Sequence, residues 1–179
     1  DYLYYEIWSD NNGALGTKRL ASGKGSTAAK TFDLELTLVS DQTYHFLFWA
    51  QCGQNNSCYD VNDLTKVKVN YDNAAGNDES RAAFFAYETI KVEGAVKETI
   101  YLKRPFAQLN FGTSTLKSSF MDEDVKVSSS TITVKKPATV FDLVTGVGGT
   151  PATNDVVFTA GELNLDPTTL SVSDKDYNY

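Results

Sequence analysis

The sequence predicts an all-β protein, an antiparallel β-sandwich with at most one or two short helices. Three observations support this prediction. Apolar and polar residues alternate in short runs, as expected for strands that bury one face. These runs recur at intervals of about ten residues, which is typical of sandwiches and barrels rather than of α/β folds. The segments between them are rich in Gly, Asn, Asp and Ser, which favour turns.

The strands follow from this alternation. Apolar residues at odd positions from 3 to 7 alternate with Tyr4, Glu6 and Trp8, and the Ser-Asp-Asn-Asn-Gly run at 9–13 then predicts a hairpin turn. Residues 32–38 carry an apolar residue at each even position, which predicts a strand with one inward face. Residues 44–50 are apolar on both faces, which predicts a central strand covered on both sides. Further strands are predicted at residues 67–71, 89–92, 99–104, 106–112, 125–127, 131–134, 139–144 and 155–159.

Helices, loops and domains are less strongly marked. One or two helical turns are predicted at residues 78–87 and, more weakly, at 114–121. Surface loops are predicted at 21–30 and 146–154, which are rich in small residues. We expect an N-terminal β-sandwich domain at residues 1–114, with 115–179 supplying the remaining strands of the same domain or the start of a second β-domain. Pro105 donates no ladder hydrogen bond, so it predicts an edge or a bulge where the chain changes pairing partners.

Composition excludes some functional classes. The 179 residues include 16 basic and 23 acidic side chains, a formal net charge of −7. This balance argues against a nucleic-acid partner, because phosphate binding requires clustered basic residues. No apolar run approaches the length of about 18 residues that a membrane-spanning helix needs. The chain begins at Asp1 rather than at Met and stops within an aromatic run at Tyr179, so we expect it to be incomplete at both ends.

The two cysteines predict a disulfide. Cys52 and Cys58 are separated by five turn-forming residues. A bond between them would close a loop between two strands and would imply an oxidising compartment. The alternative is a pair of partly buried free thiols. A zinc site is excluded, because such a site needs four ligands and the chain has a single histidine.

Catalytic motifs are weak throughout the sequence. His45, the only histidine, lies between two aromatic residues in the most apolar strand, so a structural histidine is favoured over a catalytic one. The glycine-rich runs at 23–27 and 146–151 lack the spacing of phosphate and dinucleotide loops. We therefore expect no enzyme activity, no metal and no cofactor. Trp8 and Trp49 are candidates for an aromatic ligand surface that stacks on sugars, and the alternative is that both belong to the core.

Five segments together resemble the fimbrillin-like family of cell-surface proteins of Bacteroides and related bacteria, which includes adhesins and fimbrial subunits. The Leu-Lys-Arg-Pro-Phe-Ala-Gln-Leu-Asn-Phe-Gly run at 102–112 is the most specific. The others are 3–8 with its following turn, 32–39, 44–51 and 77–86. The resemblance covers approximately residues 1–114.

This resemblance implies a transthyretin-like β-sandwich in a lipoprotein of the outer membrane, exported through a signal peptide that the chain does not include. Its membrane contact would be limited to a lipid anchor upstream of the chain. The implied function is adhesion and assembly of a fimbrium, or pilus, without catalysis. Its partners would be other fimbrial subunits or copies of itself, joined by β-strand addition. The alternative function is a β-sandwich module that binds a carbohydrate or a host protein.

Overall fold

The structure, a computed structural model, describes residues 1–26, 28–53, 58–76, 78–107, 111–112, 130–160 and 176–177. The strands are antiparallel, and the helical residues of this part of the chain form two short 3₁₀ turns, at Leu64–Lys66 and Glu79–Arg81. The predicted all-β class is therefore confirmed. The strands are β1 (Tyr2–Asn11), β2 (Ala14–Ser26), β3 (Gln42–Gln51), β4 (Tyr59–Asp60), β5 (Val67–Val69), β6 (Ala83–Val92), β7 (Phe111–Gly112), β8 (Ser130–Val134), β9 (Ala138–Asp142), β10 (Val147–Pro151), β11 (Val156–Ala160) and β12 (Asp176–Tyr177).

The chain divides into two compact units. The first comprises Asp1–Asn70, Glu79–Phe106 and Ala138–Pro151, and the second comprises the remainder. The first unit contains two four-stranded sheets, which we call the first sheet (order β2-β1-β3-β6) and the second sheet (order β10-β9-β5-β4). The second unit contains two pairs, β11 with β8 and β12 with β7. The domain division predicted at residue 114 stays a prediction.

The two sheets of the first unit share a hydrophobic core. Trp49 of β3 is fully buried, and its ring meets the ring of Tyr59 edge-on with centroids 5.1 Å apart. Phe85 of β6 meets Phe141 of β9 in the same edge-on manner at 4.7 Å. Such ring pairs add about 0.5–1.5 kcal/mol each to the free energy gained by burial. This core is what makes the first unit a sandwich.

The opposite face of the first sheet carries a second hydrophobic cluster, so β3 is covered on both sides, as predicted. Phe46 and Phe48 of β3 belong to this cluster, and Leu34, Leu38, Ile100 and Leu102 pack against it. The segments that carry these four residues were predicted to be strands at 32–38 and 99–104. This prediction is wrong, because neither segment forms a strand and only Lys103 makes a bridge, to Phe85 of β6. The apolar alternation is real, but it reports packing onto a sheet rather than pairing within one.

The β1–β2 hairpin confirms the predicted turn and corrects a predicted loop. Asn12 and Gly13 have φ of +54° and +86°, the left-handed conformation that a two-residue hairpin turn requires. Residues 21–26 were predicted to lie in a loop but belong to β2. A side chain at Gly23 would place its Cβ 2.5 Å from the ring of Tyr5. This glycine therefore allows an aromatic ring to lie across the strand, and it does not signal a loop.

Two further predictions near β6 and β10 are wrong. The helix predicted at 78–87 is limited to the 3₁₀ turn, and β6 begins at Ala83. The strand buries residues on both faces, and a run that is apolar on both faces has no period by which to distinguish strand from helix. The loop predicted at 146–154 contains β10, which pairs with β9.

The other strand predictions agree with the structure or lie outside it. The strands predicted at 67–71, 131–134, 139–144 and 155–159 are confirmed as β5, β8, β9 and β11, with shifted ends. The strand predicted at 89–92 is confirmed as the end of β6. Of the strand predicted at 106–112, residues 106–107 are not in a strand, 108–110 lie outside the described residues, and 111–112 form β7. The predicted strand at 125–127 and the predicted helix at 114–121 lie outside the described residues. Pro105 lies in a bend, and the chain passes from the first unit to the second after Phe106, in agreement with a change of pairing partners at this proline.

Candidate functional site

One face of β1 carries a row of aromatic side chains. Because side chains alternate along a strand, Tyr2, Tyr4, Glu6 and Trp8 share this face. We call Tyr2, Tyr4 and Trp8 the aromatic strip. All three are half-buried, and the rings of Tyr2 and Tyr4 lie 6.5 Å apart at a tilt of 58°. Tyr4 and Trp8 pack partly against the core between the sheets, which fixes their position.

A lysine of the neighbouring strand lies over the two tyrosines. Lys24 is directly opposite Tyr4 in the β1–β2 register. Its Nζ lies 3.6 Å from the ring centre of Tyr2 and 5.1 Å from that of Tyr4, a cation–π arrangement. The side chain is exposed. The end of the strip therefore combines two aromatic surfaces with a solvent-accessible hydrogen-bond donor.

A cavity of about 320 Å³ adjoins this end of the strip, and we call it the Tyr2 cavity. Its lining combines the Tyr2 ring with a carboxylate, a hydroxyl and small residues, from Asp1, Ser26, Ala28 and Gly53. The volume lies at the lower end of the range of about 300–1,000 Å³ that small-molecule sites occupy.

The other end of the strip is held by a buried carboxylate. Glu6 is 3% exposed, and its Oε2 accepts a hydrogen bond of 2.9 Å from the indole nitrogen of Trp8. Its Oε1 lies 2.7 Å from Nη1 of Arg19, and the same nitrogen donates to the carbonyl of Asn62 at 3.2 Å. Arg19 therefore connects the strip to the segment that follows β4.

His45 is itself fully buried and lies in a separate hydrogen-bond network with residues that are partly exposed. Its Nε2 is 2.8 Å from Oδ1 of Asp10, and its Nδ1 is 2.7 Å from the hydroxyl of Tyr87 and 3.0 Å from that of Thr89. Since a carboxylate only accepts, Nε2 donates to Asp10, and Nδ1 faces the two hydroxyls. Hydrogen bonds, first from the Gly13 amide and then from His45, hold the pKa of Asp10 below its ordinary value of 3.8. This enclosure fits the structural role predicted for His45.

The structure separates the two tryptophans that the sequence grouped as an aromatic ligand surface. Trp8 belongs to the strip. Trp49 is fully buried between the sheets, where its indole nitrogen donates to the buried side chain of Gln51 at 2.9 Å. Trp49 therefore cannot contact a ligand at the surface. Tyr2 and Tyr4 were not identified from the sequence, although their even spacing with Trp8 on β1 places them on its face.

The two cysteines flank the gap at residues 54–57. Cys52 is half-buried just after β3, and Cys58 is buried among the core residues just before β4. The structure shows no disulfide between these two described residues, and the bond stays a prediction. Within the described ranges, no group of three His, Cys, Asp or Glu side chains is arranged to hold a metal ion. No described helix is long and apolar enough to cross a membrane.

A second cavity, of about 540 Å³, lies at β4 and β5, and we call it the β4 cavity. Asp60 forms its polar centre. This carboxylate accepts hydrogen bonds from the backbone and side-chain nitrogens of Asn62, at 3.2 and 2.8 Å, and from Nζ of Lys68 at 3.2 Å. The Asn62 amide first, and then Lys68, hold the pKa of Asp60 below its ordinary value.

The model of DUF6562, a family of unknown function, matches residues 3–175. The chain belongs to this family. No curated protein matches the sequence. Membership of this chain in DUF6562 does not confirm the resemblance to the fimbrillin-like family, which stays a prediction.

A solved structure resembles this DUF6562 chain. It comes from Bacteroides thetaiotaomicron and is described as "putative polysaccharide binding proteins (DUF1812)". The similarity has a TM-score of 0.58 at 19% sequence identity and covers 94% of this chain. At this identity the likeness shows the fold alone. The chain spans only 60% of the length of that protein.

Proposed function

We propose that the protein is a non-catalytic carbohydrate-binding module of the bacterial cell surface and that its saccharide ligand packs on the aromatic strip. The observation that carries this proposal is the half-buried Tyr2–Tyr4 pair beneath Lys24, next to the Tyr2 cavity. The description of the Bacteroides thetaiotaomicron protein as polysaccharide-binding supports the same class of ligand.

The chemistry of a sugar ring suits this surface. A pyranose ring exposes C–H groups on its faces and hydroxyls around its edge. The C–H groups pack on aromatic rings, and the hydroxyls bind groups such as the Lys24 ammonium and the side chains of Ser26 and Asp1 in the cavity. Tyrosine provides a rigid surface with little side-chain entropy to lose on binding.

Lys24 has a specific consequence for binding. Its Nζ occupies the space above the Tyr2 ring at 3.6 Å, where a sugar would stack. The flexible, exposed side chain must therefore move aside, and its ammonium can then donate to a hydroxyl of the same sugar. We therefore expect the ligand to displace the Lys24 ammonium from the face of the Tyr2 ring when it binds.

The test is binding of the purified chain to a panel of plant, host-mucin and microbial polysaccharides, measured by retardation in affinity gels. The Tyr2→Ala and Tyr4→Ala variants should each weaken binding about fivefold, which corresponds to about 1 kcal/mol for one lost aromatic contact. The matched control is Tyr101→Ala, because Tyr101 is 85% exposed and lies outside the strip. If no polysaccharide retards the protein, or if all three variants behave alike, the proposed function is wrong.

A further inference from the structure

We infer that the β4 cavity is a second saccharide subsite, continuous with the aromatic strip, and that the module therefore binds the interior of an extended polysaccharide chain. This inference rests on the proposed function and adds to it the length of the ligand and a second set of contacts.

The first argument is the chemistry of the cavity lining. Its volume of 540 Å³ falls within the range of about 300–1,000 Å³ for ligand sites. The lining offers a carboxylate, an ammonium, two amides and an apolar floor, from Tyr59, Asp60, Val61, Asn62, Lys68, Val69 and Asn70. Acceptors and donors that surround a small apolar surface suit a ligand that carries several hydroxyls on a hydrocarbon ring.

The second argument is the hydrogen-bonding capacity at the centre of this lining. From the described part of the chain, Asp60 accepts three hydrogen bonds, two of them at Oδ1 and one at Oδ2, and an ionised carboxylate has about four acceptor positions. Lys68 uses one of its three N–H donors on Asp60, and its side chain is 69% exposed. Each hydroxyl of a sugar both donates and accepts. Neighbouring hydroxyls can therefore bind the carboxylate and the ammonium together, without breaking the contact between them.

The third argument is continuity with the strip. Nη1 of Arg19 bridges Glu6 below the strip and the carbonyl of Asn62 at the cavity. The strip itself runs from Tyr2 to Trp8, which at about 3.3 Å per strand residue is about 20 Å. A strip of this length accommodates several sugar residues, and the Arg19–Asn62 contact brings residues that line the β4 cavity next to its Glu6 end. A polysaccharide that already occupies the strip binds the β4 cavity as an intramolecular event. Its affinity should therefore rise steeply with the length of the saccharide.

The experiment uses oligosaccharides, from disaccharide to octasaccharide, prepared by partial hydrolysis of the polysaccharide that is retarded most strongly in the gel panel. Calorimetric titration of the unmodified chain should show affinity rising by about tenfold or more between the short and long members. The Lys68→Met variant should lose about tenfold in affinity for the octasaccharide and almost nothing for the disaccharide. This loss corresponds to one hydrogen bond to a charged group. Tyr2→Ala should weaken the binding of both.

The matched control is Lys66→Met, which removes a nearby exposed lysine that does not line the cavity. Circular dichroism melting of both lysine variants tests whether each one folds. If affinity does not change with length, or if Lys68→Met behaves like Lys66→Met, the second subsite is overturned while binding at the strip remains. In that case the Asp60–Lys68 contact is a surface ion pair only. If no saccharide binds at all, the proposed function fails, and the inference fails with it.

Discussion

Replacing Arg19 by methionine should destabilise the protein far more than an ordinary surface substitution. Arg19 lies on β2 with a side chain that is 44% exposed, yet its partner Glu6 is only 3% exposed. Methionine keeps much of the apolar stem and removes the charge. The variant therefore leaves Glu6 as a buried carboxylate that keeps the hydrogen bond from the indole N–H of Trp8.

The size of the effect follows from this geometry. Removing one partner of a fully buried ion pair costs about 3–5 kcal/mol. Solvent screens Arg19, and Glu6 keeps the Trp8 hydrogen bond, so we expect about 2 kcal/mol. Glu6→Gln in the same background removes the stranded charge and should restore at least half of the loss. This restoration separates an electrostatic cost from lost packing.

The assay is urea unfolding followed by tryptophan fluorescence, with Lys91→Met as the control. Lys91 and Glu93 form an ion pair in which both side chains are more than half exposed, so its loss should leave the unfolding midpoint nearly unchanged. Equal midpoints for Arg19→Met and Lys91→Met would refute the buried-carboxylate reasoning. No recovery in the double variant would show that the cost has another origin.

Three other predictions concern backbone packing, pH and the cysteines. A Cβ at Gly16 would lie 2.5 Å from the backbone oxygen of Ser9, so Gly16→Ala should lower the free energy of unfolding by about 1–3 kcal/mol. A Cβ at Gly149 would have no atom within 4 Å, so Gly149→Ala should change that free energy by at most about 0.5 kcal/mol. Equal losses in the two variants would contradict this reasoning. Because the pKa of Asp10 is depressed in the folded state, its contribution is present above the ordinary value of 3.8 and lost as the pH falls through the depressed value. Asp10→Asn should therefore flatten the decline of stability below about pH 4, and an unchanged decline in acid titration would exclude this role. Mass spectrometry after alkylation should show Cys52 and Cys58 joined in protein from an oxidising compartment, and full labelling of both without reductant would show that they are not.

The fold class was predictable because the alternation of apolar residues reflects a physical requirement. A strand with one buried face needs period two, and β5 satisfies it, with Val67 buried, Lys68 exposed and Val69 half-buried. The pattern does not distinguish a strand from an extended segment that packs on a sheet, since both bury alternate side chains. Residues 32–38 therefore match the strand pattern while they pack against a cluster without forming a strand. Glycines such as Gly23 cause the opposite error, a strand predicted as a loop. Here the glycine allows an aromatic ring to lie across the strand.

The candidate site was only partly predictable. Trp8 was identified. The prediction that residues 44–50 are covered on both sides includes Trp49, but which elements cover it depends on the partner sheet formed by β4, β5, β9 and β10. The contact of Lys24 with Tyr2 depends on the register between β1 and β2. The Glu6–Arg19 pair joins residues 13 positions apart and was not expected. Register and partner sheets are non-local properties, which period alone cannot specify.

The most direct test of the carbohydrate-binding account is nuclear magnetic resonance mapping of the 19.7 kDa chain during titration with the strongest-binding saccharide of the panel. We predict that the largest amide shifts occur on β1 and β2 around Tyr2, Tyr4 and Lys24, and that residues around Tyr101 do not shift. Shifts centred away from the aromatic strip, or no shifts with any saccharide, would contradict the account.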